Sequence, residues 1–486
     1  MKKTLLLLVL TASALTACTQ QYSPEIENKI KQVEQNLGLR ILIIGRPRPT
    51  LQERMAFYHI NGLSIAVVHN YKIEWARGYG WADSAEQRPV TTQTLFQAAS
   101  ISKSLNAVGV LRLAQEGKLD LYADINNYLT DWKFPYDTLS KGRKITVANL
   151  LSHTGGLTVH GFRGYAVGDS LPTVGQLLDG KPPANSPAVR SMYEPGLRSE
   201  YSGGGITISQ LIVMDITHQP YDRYMQDQVL KPLGMMSSLY TQPAPADKRP
   251  LLATGYQMDS KEIKGKYHIY PEEAAAGLWT NPTDLCKYII ETELSYAGKS
   301  SKVLDEKYTR LRLTPYIDSS AALGVFIQNV HGDHYFQHGG ANEGFRSQYF
   351  GLVDGGEGVA VMVNSDNGAI LSEVVNSVAT VYNWKGFYEP QTRTIAAVEP
   401  AQLQAFEGKY KSHDEKRQLS LQIKAEKDQL VLTPQWTGQH IALLPESATS
   451  FFNPDSGMTA KIIKGPDGSV TSIMVNDKDL WDKVPQ

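Results

Sequence analysis

A serine and a lysine stand three positions apart, at Ser100 and Lys103, where a stretch with helical spacing begins. Positions i and i+3 of a helix share a face, so the lysine amine can reach the serine hydroxyl. A serine is a weak nucleophile until a base takes its proton, and a lysine can be that base where burial and neighbours favour its neutral form. The pair therefore indicates nucleophilic acyl transfer, although one such spacing is expected by chance in most chains of this length.

Two further motifs are suited to the same chemistry. Tyr201 precedes a glycine run that leads into a predicted helix, where a phenolic oxygen can be held near the serine and lysine. The motif His338-Gly339-Gly340 lies at the end of a predicted strand. Glycines there let a substrate backbone approach the strand edge, and the following amide is free to point at an oxyanion.

Histidines offer two competing interpretations. The first is a metal site, because four possible ligands occur within eight residues: His331, Asp333, His334 and His338. His331 and Asp333, however, flank a predicted hairpin turn, so we expect no metal and no cofactor. A Ser–His triad would use His153, in the sequence Ser-His-Thr-Gly-Gly. We interpret His153 as a structural turn residue, because the lysine and tyrosine already supply a base.

Composition describes a large, near-neutral globular protein. The chain has 486 residues, with 48 basic against 49 acidic side chains and a formal charge of −1. This balance argues against a nucleic-acid binder, which would carry a basic face. Only 2 cysteines are present, too few for a disulfide framework or a multi-cysteine metal site. The length allows two to four domains.

The N-terminus is typical of an export signal. Two lysines precede a short apolar run, which fades through small residues into Leu15-Thr16-Ala17-Cys18. That last sequence resembles a bacterial lipobox, which would remove residues 1–17 and leave a lipidated Cys18. A plain signal peptide that happens to contain a cysteine is the alternative. We expect an exported bacterial lipoprotein, periplasmic or at the cell surface, tethered to the membrane, in which Cys286 is a free thiol.

Patterns along the chain predict the elements that position the motifs. A hairpin is predicted over Leu63–Gly80, and a mostly helical middle follows at about residues 120–310. Four strand patterns then form an antiparallel meander that ends near Asn364. From about residue 401 the sequence alternates in the manner of a small all-β barrel or sandwich. The predicted domains are a lipidated tether with a short helix (18–50), a main domain (51–385), a linker (386–400) and the β domain (401–486).

The order and separations of Ser100-x-x-Lys103, Tyr201 and His338-Gly339-Gly340 resemble the penicillin-recognising serine hydrolases. These include class C β-lactamases, DD-peptidases, D-aminopeptidases and related esterases, and the likeness covers roughly residues 50–385. The β domain resembles the lipocalin-like extension of some relatives. The resemblance implies an α/β (α+β) fold, with one antiparallel sheet flanked by helices, a mostly helical lobe, and the site in the cleft between them.

The same resemblance implies the role of each residue. Ser100 would be the acylated nucleophile, with Lys103 and Tyr201 as the proton-transfer pair and His338 in the third motif. The amides of Ser100 and Ala341 would form the oxyanion hole, each donor contributing on the order of 3 kcal/mol in the transition state. Gly339 and Gly340 would lie beside the bound substrate, on the strand edge that its backbone approaches.

One position departs from the family pattern. Many relatives end the tyrosine motif in an asparagine, whose amide holds the substrate's acyl-side amide; this chain has Gly203 there. We therefore expect an esterase or a D-residue-specific peptidase rather than a true β-lactamase, acting on a small-molecule or peptide-like acyl substrate. The alternative is a non-catalytic, tethered sensor that binds cell-wall fragments or penicillin without turnover.

Overall fold

The computed structural model describes residues 22–485. The α-helices are α1 Pro24–Gln35, α2 Leu51–Phe57, α3 Ser102–Gln115, α4 Val147–Leu151, α5 Val174–Asp179, α6 Gly203–Thr217, α7 Tyr221–Met225, α8 Lys231–Leu233, α9 Glu273–Ala276, α10 Pro282–Tyr296, α11 Glu306–Leu313, α12 Ala369–Val381 and α13 Pro400–Ala405. A π-helix spans Gln226–Leu230, and short 3-10 helices include Ala99–Ile101, Ile125–Asn127, Thr138–Ser140, Arg249–Leu251 and Glu415–Arg417. Within the described part of the chain, no helix has the length and apolarity to cross a membrane.

The strands follow the same chain order. They are β1 Ile41–Ile43, β2 Gly62–His69, β3 Lys72–Asp83, β4 Arg88–Pro89, β5 Phe96–Gln97, β6 Trp279–Thr280, β7 Phe326–Val330, β8 Asp333–Asn342, β9 Phe345–Leu352, β10 Gly358–Val363, β11 Gln391–Arg393, β12 Gly408–Ser412, β13 Ser420–Glu426, β14 Gln429–Pro434, β15 Ile441–Pro445, β16 Ser450–Phe452, β17 Thr459–Lys464, β18 Val470–Val475 and β19 Asp479–Lys483.

A seven-stranded antiparallel sheet forms the centre of the main domain, with strand order β4-β3-β2-β10-β9-β8-β7. The early hairpin β2–β3 joins the late meander through the pairing of β2 with β10, for example Val67 with Val359. Both strands are buried on both faces, which explains their nearly continuous apolar sequences. The single antiparallel sheet that the resemblance implies is confirmed, and it is built from the first and last parts of the domain.

Helices cover both faces of this sheet. On one face α10 and the helical lobe form the larger core, which contains Leu285 and Ile289. On the other face α1, α2 and α12 form a second core, which contains Ile30 and Val374. This layered arrangement confirms the predicted α/β class.

Helix α3 lies inside the domain rather than on its surface, because Ser102–Leu111 is buried throughout. It ends at Gln115, shortly before Gly117, whose φ of +71° a glycine adopts without strain. Burial on all sides fixes the residues at its start, where the serine and lysine lie.

The C-terminal strands β12–β19 close into an eight-stranded barrel. Closure is made by the pairing of β12 with β19, for example Tyr410 with Lys483. Tyr410, Ile423 and Phe451 lie in a core that belongs to the barrel alone, and Leu403 of α13 joins it. The predicted all-β C-terminal domain is thus a closed barrel.

Both segments expected to be connectors are packed against other parts of the chain. The N-terminal segment contains the expected short helix, α1, and this helix packs on α12 with Val33 fully buried. Strand β1 pairs in parallel with β11, which lies within the predicted linker. Ile41 of β1 packs against Leu444 and Phe452 of the barrel, so these segments join the two domains.

Candidate active site

Ser100 lies in the single 3-10 turn that leads into α3. The turn is held from several sides: Ala98 N donates to Leu278 O at 2.8 Å, and Ser102 Oγ donates to Ala99 O at 2.5 Å. Ala99 has a φ of +50°, a conformation that costs a non-glycine residue about 1 kcal/mol or more. Strained backbone of this kind persists only where the surroundings determine it, as they do here.

Lys103 is the second residue of α3 and is 2% exposed. Its Nζ donates to Ser100 Oγ at 3.0 Å and to Ala275 O, at the end of α9, at 2.6 Å. The carbonyl of α9 therefore fixes the amine beside the hydroxyl. An amine at this distance can exchange a proton with the hydroxyl directly.

Tyr201 immediately precedes α6, whose N-cap is Ser202. The Lys103 Nζ lies 5.0 Å from the centroid of the tyrosine ring. On another side the ring packs against His153, with centroids 4.3 Å apart. His153 Nδ1 accepts a hydrogen bond from Ser202 N at 3.2 Å, and His160 Nδ1 donates to Tyr201 O at 2.5 Å. The helix cap and two histidines thus fix the tyrosine.

His338 lies within β8 and is 3% exposed. Its Nδ1 donates to Gly339 O at 2.6 Å, whereas its buried Nε2 has no hydrogen-bond partner among residues 22–485. Burial, with the neighbouring Lys103, lowers the pKa of His338 to about 3. The ring is therefore neutral near pH 7, with Nε2 as an acceptor.

The structure corrects the expected position of the third motif. His338 was expected at the end of a strand, but β8 continues to Asn342. Only the pairing of β8 with β7 ends there, at Gln337 opposite Phe326, while the pairing with β9 continues. Within the described part of the chain, one edge of β8 therefore lacks a strand neighbour from His338 onward. This edge lies against the nucleophile turn, which is the 3-10 turn Ala99–Ile101 that carries Ser100.

Gly340 lies where β8 comes close to the segment that leads into the nucleophile turn. A Cβ at this position would lie 2.1 Å from Ala98 O and 2.4 Å from Ser347 Oγ, so only glycine fits. Ser347 Oγ also donates to Ala98 O at 3.0 Å. The segments that carry the amides of Ser100 and Ala341 are therefore held side by side.

Asn342 connects the end of the same strand to the other side of the site. Its Nδ2 donates to Gln97 Oε1 at 2.9 Å and to Ala276 O at 3.1 Å. Asn342 thus connects β8 to the segment before the nucleophile and to α9, which holds the lysine.

The other histidines of the 331–338 group do not join the site. His331 is exposed and pairs with Glu389 at 3.3 Å, and His334 bonds Asn329. Across residues 22–485 no group of three or more metal-ligating side chains occurs. Cys18 lies outside the described residues, and Cys286 is a buried free thiol.

His153 has the expected turn conformation, with a φ of +59°. It also does more than the sequence indicated, since its ring packs against Tyr201 at a tilt of 37° and lies among the site residues. Burial, followed by Lys103 and His338, holds its pKa well below the ordinary value. The site thus contains two neutral histidine rings, and Phe326 packs against both, at 6.3 Å and 5.3 Å between centroids.

Three side chains near the site were not singled out from the sequence. Phe326 lies in a predicted strand and gives no signal of its own. Phe162 lies in a loop, and its ring contacts Gly203, 41 positions later. Glu272 is fully buried before α9, and neither carboxylate oxygen has a hydrogen-bond partner in the described residues. Burial raises the pKa of Glu272 to about 8, so this carboxyl keeps its proton at neutral pH.

Comparison with known proteins shows the family of this chain. A family model described as Beta-lactamase matches residues 48–374. "Protein flp" of Staphylococcus aureus (strain N315) is 25% identical over 338 residues, which cover 68% of this chain and 64% of that protein. The chain thus matches less than two thirds of the length of that relative. "Putative penicillin-binding protein PbpX" of Bacillus subtilis (strain 168) is 24% identical over 65% of this chain and 74% of that protein.

Solved structures share the fold. The octameric penicillin-binding protein homologue from Pyrococcus abyssi aligns with a TM-score of 0.59 and 20% identity, covering 89% of this chain and 98% of its own. The crystal structure of SurE with D-Leu aligns with a TM-score of 0.53 and 20% identity, over 89% and 97% of the two chains.

Proposed function

Because the chain belongs to the beta-lactamase family, we propose that it is a serine hydrolase that cleaves an ester or amide through an acyl-enzyme on Ser100. The observation that carries the proposal is the buried Lys103 amine, 3.0 Å from the Ser100 hydroxyl. Tyr201, held beside the same amine, completes a proton-transfer pair. The arrangement supplies both a nucleophile and a base.

In the first half of the reaction, Ser100 Oγ forms a bond to the substrate carbonyl carbon. Its proton passes to the Lys103–Tyr201 pair, and the carbonyl oxygen becomes an oxyanion that accepts hydrogen bonds from the amides of Ser100 and Ala341. The bond to the leaving group then breaks, and the leaving group takes the proton from the same pair. The product of this half is an ester of Ser100.

In the second half, the oxygen of a water molecule bonds to the acyl carbon and the water gives a proton to the same pair. The bond between the acyl carbon and Ser100 Oγ then breaks, Ser100 Oγ takes the proton back from the pair, and the carboxylic acid is released. A neutral His338 suits both halves, because an imidazolium would add a buried positive charge beside Lys103. Its Nε2 remains available to accept a hydrogen bond from the substrate.

We further propose that the substrate is a simple ester or a D-residue peptide rather than a β-lactam. Gly203 offers no side-chain amide to an acyl-side amide of the substrate. A fold likeness to SurE, solved with D-Leu, supports including D-residue substrates in a test. A panel of nitrophenyl esters, D-amino-acid amides and a cephalosporin distinguishes these classes.

We also propose that Cys18 is lipidated and anchors the protein to a membrane outside the cytoplasm. The support is the sequence Leu15-Thr16-Ala17-Cys18 after a short apolar run. Tyr22, four residues later, is fixed to the sheet, because its OH donates to Ala76 O at 3.0 Å. The anchor would therefore hold the main domain within about 14 Å of the lipid attachment. Metabolic fatty-acid labelling tests this: unchanged labelling of Cys18→Ser would refute the anchor.

The central test uses the purified protein and the panel above. We expect Ser100→Ala and Lys103→Ala each to lose at least about 10³-fold in kcat/KM, and the double variant to be little worse than either. Ser372→Ala, at an exposed position on α12, is the matched control and should keep wild-type activity. Substantial turnover by Ser100→Ala would refute the assignment, and no turnover by the wild type on any substrate would favour a non-catalytic binding protein.

A further inference from the structure

Residues 157–164 form a loop that lies over the start of α6, and we call it the covering loop. One end is fixed to the tyrosine motif. Three hydrogen bonds hold it there: Ser202 Oγ to Thr158 O at 2.9 Å, Gly204 N to Val159 O at 2.9 Å, and His160 Nδ1 to Tyr201 O at 2.5 Å. The loop is therefore attached to the residues that surround the tyrosine.

The other end of the covering loop reaches toward the nucleophile turn. Arg163 O accepts hydrogen bonds from His268 Nδ1 at 2.9 Å and from Tyr270 OH at 3.4 Å. His268 O in turn accepts from Gln97 Nε2 at 2.6 Å, and Gln97 precedes Ser100 by three residues. The loop is thus attached directly to the tyrosine motif and is linked through His268 to the segment before the nucleophile.

The backbone conformation of Val159 indicates that surrounding contacts hold the covering loop in place. Its φ is +65°, and a β-branched residue in that region is a conformational outlier. Such strain costs free energy, persists only where surrounding contacts determine it, and collects at ligand-binding sites. Here the contact is the hydrogen bond that Val159 O accepts from Gly204 N.

Phe162 presents an aromatic ring to Gly203, the last position of the tyrosine motif. A Cβ on Gly203 would lie 2.9 Å from Phe162 Cε2 and 3.4 Å from His160 O. The ring therefore occupies the space into which a side chain at position 203 would project. Phe162 itself is half-buried, so part of the residue remains accessible.

We propose that the covering loop is the acyl-side specificity wall of the site, and that Phe162 selects apolar acyl groups over acyl groups that carry an amide. The inference rests on the proposed function. An aromatic face gains from burying an apolar group, whereas it offers an amide no hydrogen-bond partner in exchange for water. The site would then favour arylacetyl or alkanoyl esters.

The test compares two 4-nitrophenyl esters, of phenylacetic acid and of N-acetylglycine. Each kcat/KM is divided by the rate of hydroxide-catalysed hydrolysis of the same ester, which removes intrinsic reactivity. We expect the wild type to favour phenylacetate by at least about tenfold. A wild type that favours the N-acetylglycine ester would overturn the inference without any variant.

Variants of Phe162 then test whether its ring causes the preference for the phenylacetate ester. Phe162→Leu keeps an apolar wall and should hold the ratio within about threefold, whereas Phe162→Gln places an amide there and should lower it about tenfold or more. Phe57→Gln, at an exposed phenylalanine of α2, should not change the ratio. If a folded Phe162→Gln variant still labels with fluorophosphonate but keeps the wild-type ratio, this inference is overturned and the proposed function is not. Absence of labelling and turnover in the wild type would refute the proposed function, and this inference with it.

Discussion

Replacing Gly340 by alanine tests how closely β8 must approach the nucleophile turn. The added methyl group would lie 2.1 Å from Ala98 O, and real Cβ atoms essentially never approach closer than 3.0 Å. The strand or the turn must therefore move by about 0.9 Å. Since Ala98 O is a backbone atom, no side-chain rotation relieves the clash, and the Ser347 Oγ bond to the same oxygen must lengthen or break.

A displacement of about 1 Å in a catalytic arrangement costs about 10²-fold in rate, or about 2.7 kcal/mol in activation free energy. We expect Gly340→Ala to lose about that much in kcat on a nitrophenyl ester while keeping its circular dichroism spectrum. Gly339→Ala is the comparison, because the atom nearest to its Cβ would be Gln348 Oε1, at 3.0 Å, the end of a flexible side chain, and the nearest backbone atom, Ser347 O, would lie at an ordinary contact distance of 3.7 Å. Its loss should stay below about tenfold.

The assay is steady-state ester hydrolysis with a thermal melt of each variant. A folded Gly340→Ala whose kcat stays within about threefold of the wild type would refute the argument. It would mean that the contact between Gly340 and Ala98 does not set the geometry of the site.

Three other substitutions test neighbouring features. Gly203→Asn alone should lower kcat/KM for all esters, because the asparagine side chain collides with Phe162. In a Phe162→Ala background, Gly203→Asn should instead raise kcat/KM for the N-acetylglycine ester by up to about tenfold. A higher kcat/KM in Gly203→Asn alone would contradict this. His153→Asn tolerates the left-handed backbone but removes the ring packed against Tyr201, so kcat should fall about tenfold or more with little change in KM; an unchanged kcat would leave His153 a turn residue only. Glu272→Gln should melt increasingly above the wild type, by a few degrees, as pH rises from 5 to 8, and the difference should level off above pH 8. The reason is that the carboxyl of the unfolded chain ionises near its ordinary pKa of 4.5, whereas burial keeps the folded carboxyl protonated up to about 8, so the wild type loses stability between these two values; a constant difference in Tm would contradict the raised pKa.

Local spacing and alternation account for the parts of the fold that the sequence predicted. The three-residue spacing of Ser100 and Lys103 requires only one helical turn to bring them together, and the structure shows that turn. The hairpin at Leu63–Gly80, the late meander and the C-terminal β domain follow from periodicity and turn residues, which act over short distances.

The remaining features depend on contacts between distant segments. The packing of His153 against Tyr201 joins residues 48 positions apart, and the contact of Phe162 with Gly203 joins residues 41 apart. Neither has a signature in its own segment. The packed N-terminal helix was likewise expected in a tether, because nothing in its sequence shows that α12 leaves an apolar face for Val33.

The most direct test of the account is the site of covalent modification by a fluorophosphonate. Such a reagent bonds its phosphorus to an activated serine oxygen and releases fluoride, so peptide mass spectrometry locates the nucleophile among all serines of the chain. The account predicts a single adduct on Ser100, absent from Ser100→Ala and formed at least about 10²-fold more slowly in Lys103→Ala. An adduct on any other serine, or one on Ser100 that forms equally fast without the lysine, would contradict it.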